Sequence, residues 1–295
     1  LDLVRSIAAR RPDTAVIMLT GIDDPAVADE ALGFGAYGYL VKPVERNEVL
    51  INVASGLRRR ELELAQRTYV AELESKIVDR SMALRDALER LDETETHVRE
   101  AERDVVDRLV TALTLRSEET GAHIRRVGAY SALLAHAAGA VTDGGEELRL
   151  AAMLHDVGKI GIPDAILLKP GRLTQEEFEV IKRHPTLGRT MLQGGTSPVL
   201  KLGAEIAFTH HERWDGDGYP QGLAGEQIPV SGRIVAIADV FDALTSDRVY
   251  RKAMPLEEAA SLIDAEAGRH FDPALLPHFM ASIDQVAAIR SAHPE

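Results

Sequence analysis

A long stretch without glycine or proline constrains the fold of this chain more than any other feature. The stretch covers residues 57–120, between Gly56 and Gly121. Within it, apolar residues recur at every seventh position: Val70, Ile77, Leu84, Leu91, Val98 and Val105. A seven-residue repeat places these side chains along one side of an α-helix, where a second helix normally covers them. We therefore expect one long helix with a coiled-coil seam.

The alternate core positions of this seam are weaker, because they mix small, polar and charged residues. They are Leu73, Arg80, Ala87, Thr94, Ala101 and Arg108. A single solvated helix with many ion pairs is the alternative interpretation. The apolar residues at every seventh position favour pairing with a second helix. We therefore expect a parallel homodimer through residues 56–110, whose helices carry a signal along the chain.

Composition excludes several classes of protein. Hydrophobic residues make up 45% and charged residues 27%, a balance typical of a folded globular protein. No apolar run approaches the roughly 18 residues of a membrane span, and the net charge of −13 argues against DNA as a partner. The chain has no cysteine, so a metal would be held by nitrogen and oxygen ligands alone.

Residues 1–55 alternate between helix and strand patterns. Helices are predicted at 1–9 and 25–32, and short apolar strands at 15–20 and 37–41. Short buried strands separated by helices are typical of a parallel α/β sheet. Because the chain opens at Leu1 in the middle of this pattern, we expect it to be a fragment whose N-terminal part is missing.

Three motifs in this region belong together: Met18-Leu19-Thr20-Gly21, Gly33-Phe34-Gly35-Ala36-Tyr37-Gly38-Tyr39-Leu40 and Val41-Lys42-Pro43. They resemble the C-terminal half of a response-regulator receiver domain. The resemblance implies that Thr20 is the switch hydroxyl and that Lys42 contacts the phosphoryl group, before a cis bond to Pro43. The strands that carry the phosphoacceptor are absent, so a sensor kinase is expected to act on the full receiver and not on this fragment. The alternative is that these residues only end buried strands.

The remaining chain is predicted to be helical, with Gly and Pro between the helices and no strand alternation. The predicted helices are 111–138, 146–158, 174–182, 185–193, 199–212, 231–245, 255–267 and 273–283. The fold class is therefore mainly α, with an all-α domain at 111–295 after the 56–110 helix and a partial α/β domain at 1–55.

Candidate metal ligands are spread across this all-α domain. Glu119 and His123 have the i, i+4 spacing that places two side chains on one helix face, and His155-Asp156 is expected on a helix turn that faces the metal. The further candidates are His184, His210, His211 and Asp239. This set exceeds the ligands of one six-coordinate ion, so two or three divalent ions are expected. Iron or manganese is favoured, with zinc, magnesium, nickel and cobalt as alternatives.

Three longer motifs point to one family: His155-Asp156-Val157-Gly158-Lys159, the stretch His210-His211-Glu212-Arg213-Trp214-Asp215-Gly216-Asp217-Gly218-Tyr219-Pro220, and Ala238-Asp239-Val240-Phe241-Asp242-Ala243-Leu244. Residues 111–285 resemble the HD-GYP family of cyclic di-GMP phosphodiesterases, which have an all-α HD-domain bundle. The resemblance implies cytoplasmic hydrolysis of cyclic di-GMP to pGpG, and onward to GMP, with diguanylate cyclases as further partners. It implies that Asp156 bridges two metals, whose shells the other candidates complete, and that Glu119 supports a third.

Other residues are expected to act on the substrate or to support the ligands. Lys159 either protonates the leaving oxygen or pairs with a ligand carboxylate. Gly218 and Tyr219 form either a substrate lip, with Tyr219 on a guanine face, or a simple loop closure. By resemblance Arg248 and Arg251 grip the substrate, although cations are also common at helix C-termini. Asp242, one helical turn from Asp239, is a candidate support for the ligands.

Three functions remain open on the sequence alone. The first is a metal-dependent cyclic di-GMP phosphodiesterase that serves as the output of a two-component regulator. The second is a signalling scaffold that binds the nucleotide without hydrolysing it, against which the complete ligand set argues. The third is a phosphodiesterase for another cyclic dinucleotide or for pGpG itself, because metals and phosphates are common to all of these substrates.

Overall fold

The computed structural model describes residues 1–117, 120–141, 145–247 and 252–294. The chain forms two compact units, Leu1–Thr94 and Glu95–Glu295. The predicted fold class is confirmed, because the larger unit is built from helices and the smaller one contains a short parallel sheet. The predicted domain boundaries at residues 55 and 110 stay a prediction.

The first unit contains helix α1 (Asp2–Arg10), strand β1 (Val16–Thr20), helix α2 (Pro25–Gly33) and strand β2 (Ala36–Val41). The strands are parallel, with Val16 opposite Ala36 and Thr20 opposite Val41. Asp24 caps α2 by accepting a hydrogen bond from the amide of Ala26. The predicted parallel pair is therefore confirmed.

The two receiver-like residues lie at the carboxyl ends of the strands. The Thr20 hydroxyl accepts a hydrogen bond from the amide of Ile22, and the amide of Lys42 donates to the carbonyl of Thr20 at 2.7 Å. The bond between Lys42 and Pro43 is cis, as expected from the resemblance. Parallel strands bring both residues to one edge of the sheet.

Helix α3 runs without interruption from Arg46 to Thr114. The helix contains no proline and, after Gly56, no glycine, so no strong helix breaker interrupts its hydrogen-bond ladder over most of this length. The seam residues from Val70 to Val105 are between 44% and 63% exposed. The last turns behave differently, since Val106, Val110 and Leu113 are at most 4% exposed and belong to the core of the second unit.

The second unit continues with helices and two 3-10 helices. The α-helices are α4 (Gly121–Ala137), α5 (Glu146–Ala152), α6 (Asp164–Leu167), α7 (Gln175–Ile181), α8 (His184–Leu192), α9 (Pro198–Thr209), α10 (Val230–Thr245), α11 (Leu256–Ala265), α12 (Leu276–Ala281) and α13 (Ile283–Ala292). The 3-10 helices are Val157–Gly161 and Gly225–Gln227. Tyr130, Phe241 and Phe279 pack edge to face where α4, α10 and α12 meet. Among the described residues, no helix is both long and apolar enough to cross a membrane.

Several predicted helices were wrong in extent. The predicted helix 199–212 ends at Thr209, so His210 and His211 follow α9, and the predicted helix 273–283 is shorter, at Leu276–Ala281. The predicted helix 111–138 is divided, because α3 ends at Thr114 and α4 begins at Gly121 with Thr120 as its cap. The predicted helix 146–158 ends at Ala152, so His155 and Asp156 lie in a turn before the 3-10 helix and not on an α-helix. Helical periodicity continues through both breaks, so periodicity alone predicts an uninterrupted helix at each of them.

The close packing of the 3-10 helix Val157–Gly161 generates a test. A Cβ atom built on Gly158 would lie 2.0 Å from the carbonyl oxygen of His184 and 2.4 Å from the amide of Gly188. We expect Gly158→Ala to lower the free energy of unfolding by about 3 kcal/mol, since overpacking forces the backbone apart. Chemical denaturation measures this change. Gly121→Ala is the control, because its Cβ meets only the movable side chain of Arg125; equal stability of the two variants would contradict the prediction.

Candidate metal centre

Seven of the predicted ligands lie in two neighbouring groups inside the second unit. One group contains Asp156, His184, His210 and His211, and the other contains His123, His155 and Asp239. Within each group the potential ligand atoms all lie within 4.8 Å of one another. The side chains come from α4, the turn before the 3-10 helix, α8, the end of α9 and α10.

Asp156 lies between the two groups. Its Oδ1 atom is 3.0 Å from His184 Nε2 and 3.6 Å from His210 Nε2, whereas its Oδ2 atom is 3.2 Å from His155 Nε2. The second group continues through Asp239, whose Oδ1 atom lies 3.6 Å from His123 Nε2. One carboxylate thus faces ligand atoms of both groups, which is the geometry expected of a bridging ligand.

Backbone carbonyls orient three of the histidine rings. His155 Nδ1 contacts the carbonyl of Ala152 at 2.8 Å, and His184 Nδ1 contacts the carbonyl of Ile181 at 2.8 Å. His210 Nδ1 lies 3.1 Å from the carbonyls of Ile206 and Ala207. A carbonyl oxygen only accepts hydrogen bonds, so each Nδ1 carries the proton. In the neutral ring the proton-free Nε2 is then left to act as a ligand.

Burial keeps two of the histidines at this site neutral. It lowers the pKa of His210, and burial together with the neighbouring His210 ring lowers the pKa of His211 well below its usual range. Burial would raise the pKa of Asp156, but the ammonium of Lys159 holds it well below its usual range. The site therefore combines the ionised carboxylate of Asp156 with the neutral imidazoles of His210 and His211, which is the protonation state that metal binding requires.

The residues fit divalent cations. With neutral rings, the Nε2 lone pairs of His184 and His210 face the negatively charged Oδ1 of Asp156. That oxygen is buried and accepts no hydrogen bond from the described residues. Electron-rich atoms at such distances repel one another, and a shared cation removes the repulsion. Nitrogen and oxygen donors suit iron, manganese and zinc, so the donor set alone leaves the element open.

Lys159 is held by a ligand carboxylate in this structure. Its Nζ atom lies 2.6 Å from Asp156 Oδ2, and its side chain is 21% exposed. This geometry matches the alternative in which Lys159 pairs with a ligand. Proton donation to a leaving group stays a prediction.

A buried ionic network supports His123 from the side away from Asp239. Asp242 Oδ2 accepts a hydrogen bond from His123 Nδ1 at 2.8 Å, and Arg126 donates to both Asp242 oxygens at 2.7 and 2.9 Å. Asp242 is fully buried and Arg126 is 2% exposed. Burial would raise the pKa of Asp242, but the hydrogen bonds from His123 and Arg126 lower it. The predicted supporting role of Asp242 is thus directed at His123 and not at Asp239.

Sequence reasoning missed Arg126. It lies three residues after His123, on the same face of α4, and it donates to Ser246 and to the carbonyl of His293 as well. Its charge balances that of Asp242 inside the core. An isolated arginine is normally read as a surface residue, so only its tertiary partners reveal this role.

The loop after His211 is held in one conformation by several contacts. Buried Glu212 accepts hydrogen bonds from the amides of Gln221 and Leu223 at 2.8 and 3.0 Å. A Cβ atom on Gly218 would lie 2.4 Å from the amide of Arg213, so only glycine fits there. Tyr219 stacks on the ring of His211, with centroids 4.7 Å apart, and its burial raises its pKa. One face of the tyrosine ring thus packs on a candidate ligand, and its contact with a guanine stays a prediction.

Some predicted site residues cannot be placed at the centre. Glu119, Arg248 and Arg251 lie outside the described residues. Thr20 and Lys42 belong to the first unit. Five other histidines belong to neither ligand group in the part of the chain that the structure describes: they are His97, His136, His270, His278 and His293.

Comparison with known proteins finds a matching family model for each of two parts of the chain. Residues 107–275 match a family model described as an HD domain, and residues 1–54 match that of the response regulator receiver domain. A cyclic di-GMP phosphodiesterase of Thermotoga maritima is 40% identical over 280 residues, which cover 95% of this chain and 74% of that protein.

Two further relatives extend the comparison. The cyclic di-GMP phosphodiesterase response regulator RpfG of Xanthomonas campestris is 40% identical over 261 residues, 88% of this chain and 65% of that protein. The 3'3'-cGAMP-specific phosphodiesterase 2 of Vibrio cholerae is 42% identical over 198 residues, 67% of this chain and 38% of that protein. The chain therefore spans from 38% to 74% of the lengths of these three relatives.

The network around Asp242 predicts a measurable coupling. We expect Asp242→Asn to lower the free energy of unfolding by about 3 kcal/mol, because it leaves Arg126 buried without a balancing charge. The same change releases the ring of His123 and should weaken binding of Mn²⁺ by about 10-fold. Chemical denaturation and calorimetric titration measure the two effects. Asp264→Asn, which alters an exposed carboxylate of α11, is the control; a wild-type affinity for Mn²⁺ in Asp242→Asn would refute the coupling.

Proposed function

Because the chain belongs to the HD-domain family and is of the HD-GYP type, we propose that it hydrolyses cyclic di-GMP to pGpG, and onward to GMP, in a metal-dependent reaction. The observation that carries this proposal is the pair of ligand groups that meet at Asp156. The receiver-like residues 1–54 support a role as the output of a two-component response regulator.

A phosphodiester needs positive charge for its hydrolysis, because its anionic oxygens repel hydroxide. Two divalent cations held at the centre would neutralise the phosphate and lower the pKa of the attacking water. The chain itself holds the ligand atoms in place, through carbonyls that fix the ring tautomers and through the rigid loop after His211. The buried setting excludes bulk water from the ligand side chains.

The proposed ligand roles follow the two groups. Asp156 bridges two ions; His184, His210 and His211 complete the shell on one side, and His123, His155 and Asp239 on the other. Glu119 is proposed as a ligand of a third ion. Iron or manganese is proposed at these sites, since histidine-rich nitrogen and oxygen donors suit both metals.

Substrate contacts are proposed around the mouth of the centre. Tyr219, together with Gly218, forms the lip, and Arg248 and Arg251 contact the phosphates or a guanine. Lys159, now held by Asp156, is one helical turn from the bridging carboxylate and is proposed to stabilise the leaving oxygen. These cations would offset the net charge of −13, which otherwise repels an anionic substrate.

A second substrate has support from three relatives from Vibrio cholerae, which are named as specific for 3'3'-cGAMP. The Vibrio cholerae protein described above is named as specific for 3'3'-cGAMP, and its identity to this chain is similar to that of the cyclic di-GMP phosphodiesterases. The two substrates share their phosphodiesters and differ in one purine. We favour cyclic di-GMP because the relatives that cover 95% and 88% of this chain carry that activity in their names.

We also propose a homodimer formed along α3. At about 100° per residue, Val106 and Leu113 lie roughly a quarter of a turn around the helix from Val98 and Val105. The former are buried in the second unit, while the latter are 53% and 45% exposed. The helix can therefore pack on its own domain and still present the seam to a second copy.

Replacement of His155 tests the proposed reaction. We expect His155→Ala to lose bound metal and to lower kcat by at least about 100-fold, because one ligand of the centre is removed. Elemental analysis of anaerobically purified protein and chromatography of the products measure both. His136→Ala, which alters an exposed histidine of α4, is the control. Unchanged turnover in His155→Ala with saturating iron or manganese would refute the metal-dependent mechanism.

Assays of the wild-type chain distinguish between the two substrates, and between hydrolysis and the non-hydrolytic scaffold. Equal concentrations of cyclic di-GMP and 3'3'-cGAMP should give faster hydrolysis of the former. A higher kcat/KM for 3'3'-cGAMP would move the assignment to that substrate. Binding without product, under iron and manganese loading alike, would favour a non-hydrolytic scaffold.

Light scattering tests the dimer. We expect a dimer at micromolar concentration and a monomer after Ile77→Glu and Leu84→Glu, since buried like charges destabilise a seam. Val78→Glu is the matched control, because Val78 is 57% exposed, similar to Ile77 at 63%, but lies off the seam. A monomeric wild-type chain would contradict the proposed dimer.

A further inference from the structure

The end of helix α3 is fixed to the second unit by apolar and polar contacts. Val106, Val110 and Leu113 are buried in its core. Upstream, Glu102 accepts a hydrogen bond from the hydroxyl of Ser197 at 2.6 Å, and Arg103 pairs with Glu146 at 2.6 Å. A displacement of this helix end must therefore disturb its contacts with the domain that carries the ligands.

Arg116 extends this attachment beyond the helix. Its amide donates to the carbonyl of Leu113 at 3.0 Å, so its backbone still follows the end of α3. Its guanidinium donates to the carbonyl of Ile160, to the carbonyl of Ile162 at 3.2 Å and to Asp164 Oδ1 at 3.0 Å. One planar guanidinium thus binds three acceptors of a single segment, which the single ammonium of lysine does not match in geometry.

The segment that Arg116 holds follows directly after the ligand pair. Carbonyls at the end of the 3-10 helix Val157–Gly161 lack partners within the helix, and the guanidinium supplies donors there. The first bonded carbonyl, that of Ile160, belongs to the fourth residue after Asp156. Between them, Lys159 binds Asp156 twice, through its amide at 2.9 Å and its ammonium at 2.6 Å. A shift of the segment is thus transmitted to the bridging carboxylate.

The same segment is in tight contact with a second ligand. Gly158 packs so closely on the carbonyl of His184 and on Gly188 that no Cβ atom fits between them. His184 lies at the beginning of α8, and its ring faces Asp156 at 3.0 Å. The relative position of Asp156 and His184 therefore depends on where the 3-10 helix sits.

We propose that Arg116 is a positioning residue for the metal centre. By joining the end of α3 to residues 160–164, it holds His155 and Asp156 in register with His184. A movement of α3 therefore changes the spacing of the metal ligands, which connects the long helix to the chemistry. The role concerns the same centre as the proposed function and rests on it.

Arg116→Lys tests this role, because lysine keeps the charge but cannot bind the three acceptors together. We expect the affinity for Mn²⁺, measured by calorimetry on metal-free protein, to fall by about 10-fold, and kcat at saturating Mn²⁺ to fall similarly with KM unchanged. The melting temperature is measured alongside. Arg99→Lys is the matched control, since Arg99 on the same helix pairs with the nearby Glu95 and its side chain is 76% exposed; it should leave all values unchanged.

Two outcomes would overturn the proposal. One is a wild-type Mn²⁺ affinity and kcat in Arg116→Lys. The other is a loss that only follows the unfolded fraction, which would make Arg116 a structural contact. The affinity measurement needs no nucleotide, so a wild-type chain that does not hydrolyse cyclic di-GMP refutes the proposed function and still leaves this comparison decisive.

If Arg116→Lys does not fold, a second variant tests the proposal. Asp164→Asn removes one ion pair, whose side chains are 39% and 64% exposed, and retains both carbonyl contacts. We expect it to weaken Mn²⁺ binding by about twofold, the size of effect that an exposed ion pair produces. An unchanged affinity in Asp164→Asn would then overturn the proposal.

Discussion

The carboxylate of Asp156 is the constraint on which the rest of the site depends. It is 3% exposed, yet it remains ionised and faces the Nε2 atoms of three histidine rings. Removing such a charge from water costs several kcal/mol, and Lys159 contacts only one of its oxygens. A bound divalent cation would supply further compensation. The neighbouring residues are therefore arranged around a charge that Lys159 stabilises in part.

The surrounding structure keeps the ligands ready for this role. Main-chain carbonyls hold three rings in one tautomer, and Asp242 with Arg126 holds a fourth. These supports come from regular elements, whose backbone is rigid, and Glu212 braces the loop beside them. Because these four rings are fixed on the side away from the centre, the entropic cost of ordering them is met during folding and not during metal binding.

Much of the architecture could be predicted from local patterns. The stretch without glycine or proline predicted one long helix, which α3 confirms although it begins before Gly56, and the alternation in residues 1–55 predicted a parallel pair of strands. Local patterns predicted a continuous helix across two breaks, one between Thr114 and Gly121 and one between Ala152 and Val157. They also failed to predict α13. The point at which a helix ends depends on capping and on tertiary packing, whereas helix propensity varies little along these segments.

For the centre, the sequence determined which residue types were available, because the donors recur in recognisable motifs. Tertiary structure decided how they divide: that His123 joins His155 and Asp239, that Asp156 faces both groups, and that Asp242 serves His123. It alone revealed Arg126 and Arg116, whose partners are distant in the chain. The physical reason is that ligand identity is a local property of the chain, whereas distance, burial and charge compensation arise only when separate helices pack together.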